Sequence, residues 1–203
     1  MRCHFLLSVI GASAAILFTL LPTARLRADV EEFKPVKEAD LPDGFPTYTP
    51  VGVIEVKEYP AYRKASSSGG AAFWSLFSHI KQNEIAMTAP VEMTYAGDND
   101  QGMQQQSMAF LYGKPSLGTT GKQGNVEVWD VPGMKVVSIG MRGARTDDSV
   151  RDAKEKLDNW LDSHSGAYAV SGPLRVMGYN SPFVPRDRQF YEVQIPVTEV
   201  GAE

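Results

Sequence analysis

Cysteine is almost missing from this 203-residue chain, and the one that is present, Cys3, stands three residues from the start. Histidine is scarce too: only His4, His79 and His164. The first 28 residues lack any acidic side chain, begin with Arg2, and run apolar from Phe5 to Leu21 before Leu26-Arg27-Ala28. That pattern is a secretory signal peptide with a small residue at the cut, and it predicts a periplasmic or secreted product. The alternative is an uncleaved anchor, because the apolar run nears the ~18 residues of a spanning helix, although Ser8, Gly11, Ser13 and Thr19 interrupt it. Cleavage would leave no stable membrane insertion.

Each shortage excludes a chemistry. Without residues 1–28 the chain has no cysteine, so disulfides, thiolate nucleophiles and cysteine metal sites are ruled out for the mature protein. Two distant histidines leave no metal cluster of ordinary spacing. Cleavage removes three arginines and no acid, leaving 17 basic residues against 24 acidic ones and a net charge of −7. Nucleic acid is therefore not an expected partner. Ser66-Ser67-Ser68-Gly69-Gly70 precedes a helix but lacks the Gly-Lys-Ser/Thr of a phosphate loop, and reads as a flexible joint.

What remains is one domain's worth of globular sequence, 43% hydrophobic and 22% charged. Residues 29–50 are rich in Pro, Asp, Glu and Lys without periodicity, and read as a linker or extended lead-in to a domain over 51–198. From Val51, alternating β-branched and charged residues predict a half-buried strand with Pro60 at an edge or bulge. Phe73, Leu76, Phe77 and Ile80 fall at i, i+3, i+4 and i+7, the stripe of a short helix ending before Asn83. Strands over Ile85–Tyr95 and Ser107–Tyr112 follow, separated by a polar loop from Gly97 to Gln106.

The order then repeats. A strand over Asn125–Gly140 leads to a helix starting at Thr146-Asp147-Asp148, with Val150, Ala153, Leu157, Trp160, Leu161 and His164 on one face, and then strands over Ala167–Tyr179 and Gln189–Val197. Ile54–Pro60 aligns with Val126–Pro132 at an offset of 72, matching Glu, Val and Pro. The expected fold is α+β: two βαββ halves, related by a pseudo-twofold, forming a curved, mainly antiparallel sheet with two helices and a cleft beside them.

Specific motifs run through this frame in order: Glu58-Tyr59-Pro60, Phe73-Trp74-x-Leu76-Phe77-x-His79-Ile80, Asn83, Met87-Thr88-Ala89-Pro90-Val91, Tyr179-Asn180-Ser181-Pro182 and Tyr191-Glu192-Val193. Together they resemble the SOUL haem-binding family, with the Met-Thr-Ala-Pro-Val pentad the most specific part. The resemblance implies a distorted β-barrel of two βαββ halves that binds haem or another porphyrin in an open apolar cleft, without a catalytic residue. Family members that ligate iron are thought to use a histidine just before the strand tyrosine. Here that position is Glu58, a poor haem ligand, while His79 stands where the family usually has tyrosine.

The expected tetrapyrrole site combines Phe73 and Phe77 on the first helix with Phe183, Val184, Arg186 and Arg188 in the loop before the last strand, the arginines facing propionates. The two phenylalanines fit core packing equally well. His79 is the candidate axial ligand. Met87 would share a strand face with Met93, where a thioether could serve as ligand or as packing. The architecture also resembles the GyrI-like family of small-molecule effector-binding modules, in which a glutamate near the last strand sits in the cleft; Glu192 is the match, either as a hydrolytic carboxylate or as a solvent-facing strand residue. A third expectation is an envelope interaction protein without pigment. The sequence leaves the oligomeric state open.

Overall fold

Two proline-broken strands set the architecture. In the computed structural model, which describes residues 33–96 and 103–201, the strand expected from Val51 bends at Pro60-Ala61 into β1 (Ile54–Tyr59) and β2 (Tyr62–Ser67). Its counterpart bends at Pro132-Gly133 into β6 (Val126–Val131) and β7 (Met134–Arg142). Proline lacks the ladder donor that would continue the strand. Helix α1 (Ala72–Gln82) and strands β3 (Val91–Ala96) and β4 (Gln104–Leu111) complete the first half. A short β5 (Gly121–Gln123) precedes the second half, which adds α2 (Asp147–Ser163), β8 (Tyr168–Val170), β9 (Arg175–Gly178) and β10 (Phe190–Glu199). Residues 1–28, expected to be a signal peptide, residues 29–32 and most of the polar loop after Ala96 lie outside the described residues.

The strands join in one antiparallel sheet of order β1-β7-β10-β9-β3-β4-β2-β6-β5, with β8 on β10. It is curved but not closed into a barrel. The pseudo-twofold holds residue by residue. Tyr59 pairs with Met134 and Val131 pairs with Tyr62, so the offset of 72 seen in the sequence carries one pair onto the other. The strand expected over Ile85–Tyr95 begins only after Pro90, and the one expected over Ala167–Tyr179 is split into β8 and β9 around Gly172-Pro173, since proline cannot donate to the ladder.

Alternation gives the sheet two faces. On one, α1 buries Ala72, Leu76, His79 and Ile80 beside Ala65, Phe110, Tyr112, Val126 and Val128, while α2 buries Val150, Ala153, Leu157 and Leu161 against Val137, Ile139, Val176, Val193 and Ile195. The other face carries Tyr62, Leu111, Val131, Met177 and Phe190, and among the described residues no helix covers it. Instead Phe33, Ala39, Leu41, Phe45 and Tyr48 pack there. The lead-in is thus extended, as its composition predicts, but is part of the same compact unit from Phe33 onward.

Candidate functional site

The buried stripe of α1 decides where its aromatic residues go. Because Ala72, Leu76, His79 and Ile80 face the sheet, Phe73, Trp74 and Phe77 occupy the helix shoulder. Phe73 is 38% exposed and Trp74 67%. Phe73 stacks on Phe77 at 6.1 Å and meets Phe110 edge-on at 5.4 Å, and Trp74 stands edge-on to both helix phenylalanines, at 5.3 and 6.2 Å. The two phenylalanines are therefore neither pure core nor loose surface, but a braced aromatic face open to solvent. Trp74 also borders a depression of about 620 Å³ between α1 and the β5–β6 turn, lined by Ser75, Ser78, His79, Gln82 and Gln123–Val126. Lys81 puts its ammonium 5.5 Å from the Phe77 ring centre.

His79 is buried in the opposite flank of this helix. Its Nε2 lies 2.7 Å from the Tyr112 hydroxyl, and Asn83 Nδ2 lies 3.4 Å from its Nδ1. Burial pushes the imidazole pKa below its ordinary value, so the neutral ring is favoured. Iron ligation through Nε2 would first have to break the tyrosine bond. His164 differs from its expected place on the apolar face: it caps α2, exposed, stacked on Trp160 at 3.8 Å.

The Met-Thr-Ala-Pro-Val pentad forms the entry to β3 and contains a cis Ala89-Pro90 bond. Met87, 38% exposed, lies ahead of the strand, whereas Met93 is buried within it and contacts Arg145. The two methionines do not share a strand face. In the loop before β10, Val184 is buried, Phe183 is 94% exposed, and Arg186 and Arg188 lie exposed on a 3₁₀ turn. Val91 pairs with Gly178, so this loop and the Met87 segment leave the sheet at one end. The C-terminus of α1 leads to that end. Phe73 and Trp74 lie in the first turn of α1.

The face without helices holds a polar system that reading the sequence missed. Glu192 is fully buried rather than solvent-facing. Its carboxylate accepts from Lys57 Nζ at 2.9 and 3.1 Å, Gln194 Nε2 at 2.5 Å, Ser138 Oγ at 3.3 Å and the Thr49 amide at 2.5 Å. Gln194 Oε1 accepts from Arg175 Nε at 2.8 Å, and Arg175 Nη1 reaches the Tyr62 hydroxyl at 3.1 Å and Glu92 at 3.5 Å. Glu92 also accepts from Lys64 and, at 2.8 Å, from Tyr62. Burial alone would raise the Glu92 pKa, but Arg175, Lys64 and the Tyr62 bond outweigh it and hold the carboxyl below its usual range. Burial pushes the Tyr59, Tyr62 and Tyr179 phenols up. The only sequence signal for this chain of groups was charge at alternate strand positions, which reads by default as solvent contact.

Among solved structures, the chain is similar to the EcmrR C-terminal domain, at 18% identity and TM-score 0.54, covering 73% of this chain and 98% of that one. It is likewise similar to an uncharacterized conserved protein from Listeria innocua, at 12% identity and TM-score 0.56, covering 74% and 95%. A hydrolase from Listeria innocua aligns at 12% identity and TM-score 0.54, covering 74% and 94%. At such identities the likeness is one of fold. No curated protein matches the chain. The family model described as SOUL heme-binding protein matches residues 45–196, most of the chain, and the protein belongs to that family.

Proposed function

We propose that this protein binds haem or a related tetrapyrrole without catalysing a reaction, as a carrier, scavenger or buffer, and that it does so outside the cytoplasm, where its N-terminal pattern would send it. The observation that carries the reading is the exposed face of Phe73, Trp74 and Phe77 in a chain of this family. A planar macrocycle laid on that face would cover apolar surface otherwise left in water, and the Lys81 ammonium would meet a propionate. The residues fit a flat apolar ligand well and an iron ligand poorly, since Glu58 replaces the strand histidine and His79 is engaged with Tyr112. We therefore assign His79 to holding the helix on the sheet. Phe183, Val184, Arg186 and Arg188 in the loop before β10, and Met87 ahead of β3, are proposed to contact the edge of the ligand.

The fold shared with a hydrolase and with the EcmrR domain supports a second reading, in which Glu192 serves an effector-binding or hydrolytic site. Against it, that carboxylate already accepts five hydrogen bonds, one from the lead-in that covers it. A pigment-free envelope partner is the third. Haem titrated into the purified protein at micromolar concentration should shift the Soret band saturably, near one haem per chain. An unchanged spectrum contradicts the proposal, and ester hydrolysis lost in Glu192→Gln would favour the second reading.

A further inference from the structure

Residues 33–50 hold the helix-free face as a bound peptide would. Phe45 enters edge-on between Tyr59, at 4.9 Å, and Tyr62, at 5.3 Å, and Tyr48 meets Phe190 edge-on at 5.4 Å. Its backbone makes polar contacts along the length, the Thr49 amide to Glu192, the Asp43 amide to the Gly113 carbonyl at 2.9 Å, the Asp40 carbonyl from the Ala89 amide at 3.0 Å and the Val36 carbonyl from Asn180 at 2.7 Å, and the Glu38 carboxylate adds bonds from Asn180 and Ser181. Gly140 is left without a side chain where the strap crosses, since a Cβ there would fall 2.1 Å from the Thr49 carbonyl. Beneath lie two carboxylates, two ammonium groups and one guanidinium, all buried, a costly surface for plain packing. Arg175 Nη2 has no hydrogen-bond partner among the described residues.

We infer that this face is a peptide-binding groove, separate from the α1 face, for an extended segment that places an aromatic ring between Tyr59 and Tyr62 and an amide on Glu192, and that residues 33–50 occupy it in cis as a displaceable strap. The strap is built for exchange. It has no helix or strand of its own, Phe45 and Tyr48 remain partly exposed, and its contacts at Phe45, Tyr48 and the Thr49 amide are ones that a segment of like spacing, Phe-x-x-Tyr-Thr, can reproduce.

Thr49 Oγ1 and Ser138 Oγ are 2.9 Å apart, so cysteines at the two positions are within disulfide reach. In a chain carrying Cys3→Ser, Thr49→Cys and Ser138→Cys, the reduced form should bind a fluorescent peptide of residues 42–50 at least tenfold more tightly than the oxidised, strapped form. Equal binding by both forms, or no binding by the reduced form, overturns the inference. Hydrogen exchange on the unaltered protein is an independent check: the Asp43, Phe45 and Thr49 amides should exchange through local openings at least tenfold faster than those of Val193 and Ile195. If they exchange only together with β10, the strap does not open and the inference fails.

Discussion

The two helices hold equivalent places in the two halves, yet they are built for different ends. Helix α2 follows local rules at its start: Thr146 and Ser149 form a capping box, Asp147 and Asp148 sit in the first turn, and its outer surface is charged, with Arg151, Asp152, Glu155 and Lys156 exposed. Helix α1 has no side-chain cap at Ala71, no acid in its first turn, and aromatic rings on its outer shoulder. Departures of this kind gather where a sequence answers to binding rather than to stability. A duplicated fold thus keeps one half as scaffold and exposes apolar surface on the other.

The sharpest way to break the comparison is to strike the element that both halves share. Glu92→Gln leaves Lys64 and Arg175 buried without their carboxylate and should cost about 3–5 kcal/mol, seen as a lower urea midpoint. Next, Leu157→Ala, beneath the scaffold helix, should cost about 2–5 kcal/mol while leaving haem affinity within about twofold. The converse holds on α1: the double substitution Trp74→Ala, Phe77→Ala should weaken haem binding about tenfold or more, by loss of buried aromatic area. If the Leu157 and Trp74/Phe77 effects change places, the division of labour is wrong.

The smallest effect lies in acid. Burial holds the folded His79 pKa below the ordinary value of about 6.5. The unfolded chain therefore takes up this proton first, and the stability tied to the neutral ring, full above about pH 6.5, is lost as pH falls toward the folded-state value. His79→Gln should remove that slope, measurable by denaturation across pH 5 to 7; an unchanged slope would mean that burial of His79 does not carry it.

Much of the fold was legible because it rests on periodicity. The Glu-Val-Pro match at an offset of 72 anticipated the register of β1 on β7 and β2 on β6, and Thr146 was readable as a cap. The site was less so. Phe73 and Phe77 were found, but their exposure depends on which residues of the stripe touch the sheet, and His79, expected as an axial ligand, took a core position that spacing gave to Phe73. The loop residues Phe183 to Arg188 were grouped with the helix through the family resemblance and their apolar and basic character; in the structure Val184 is buried while Phe183, Arg186 and Arg188 are exposed. Lys57, Lys64, Glu92 and Arg175 were invisible as a set, since a charge on an alternating strand reads as solvated unless something covers that face. What covers it is the Pro-rich segment, whose composition suggests a linker.

The central claim is that a flat aromatic face, rather than an iron ligand, holds the tetrapyrrole. Titration of the protein with haem and with metal-free protoporphyrin IX, followed by absorbance and tryptophan fluorescence, tests it most directly. The account predicts saturable binding of both within about threefold of each other, and weakening of both in the Trp74→Ala, Phe77→Ala protein by about tenfold or more. Binding of haem alone, abolished by His79→Ala and indifferent to the aromatic substitutions, would contradict it.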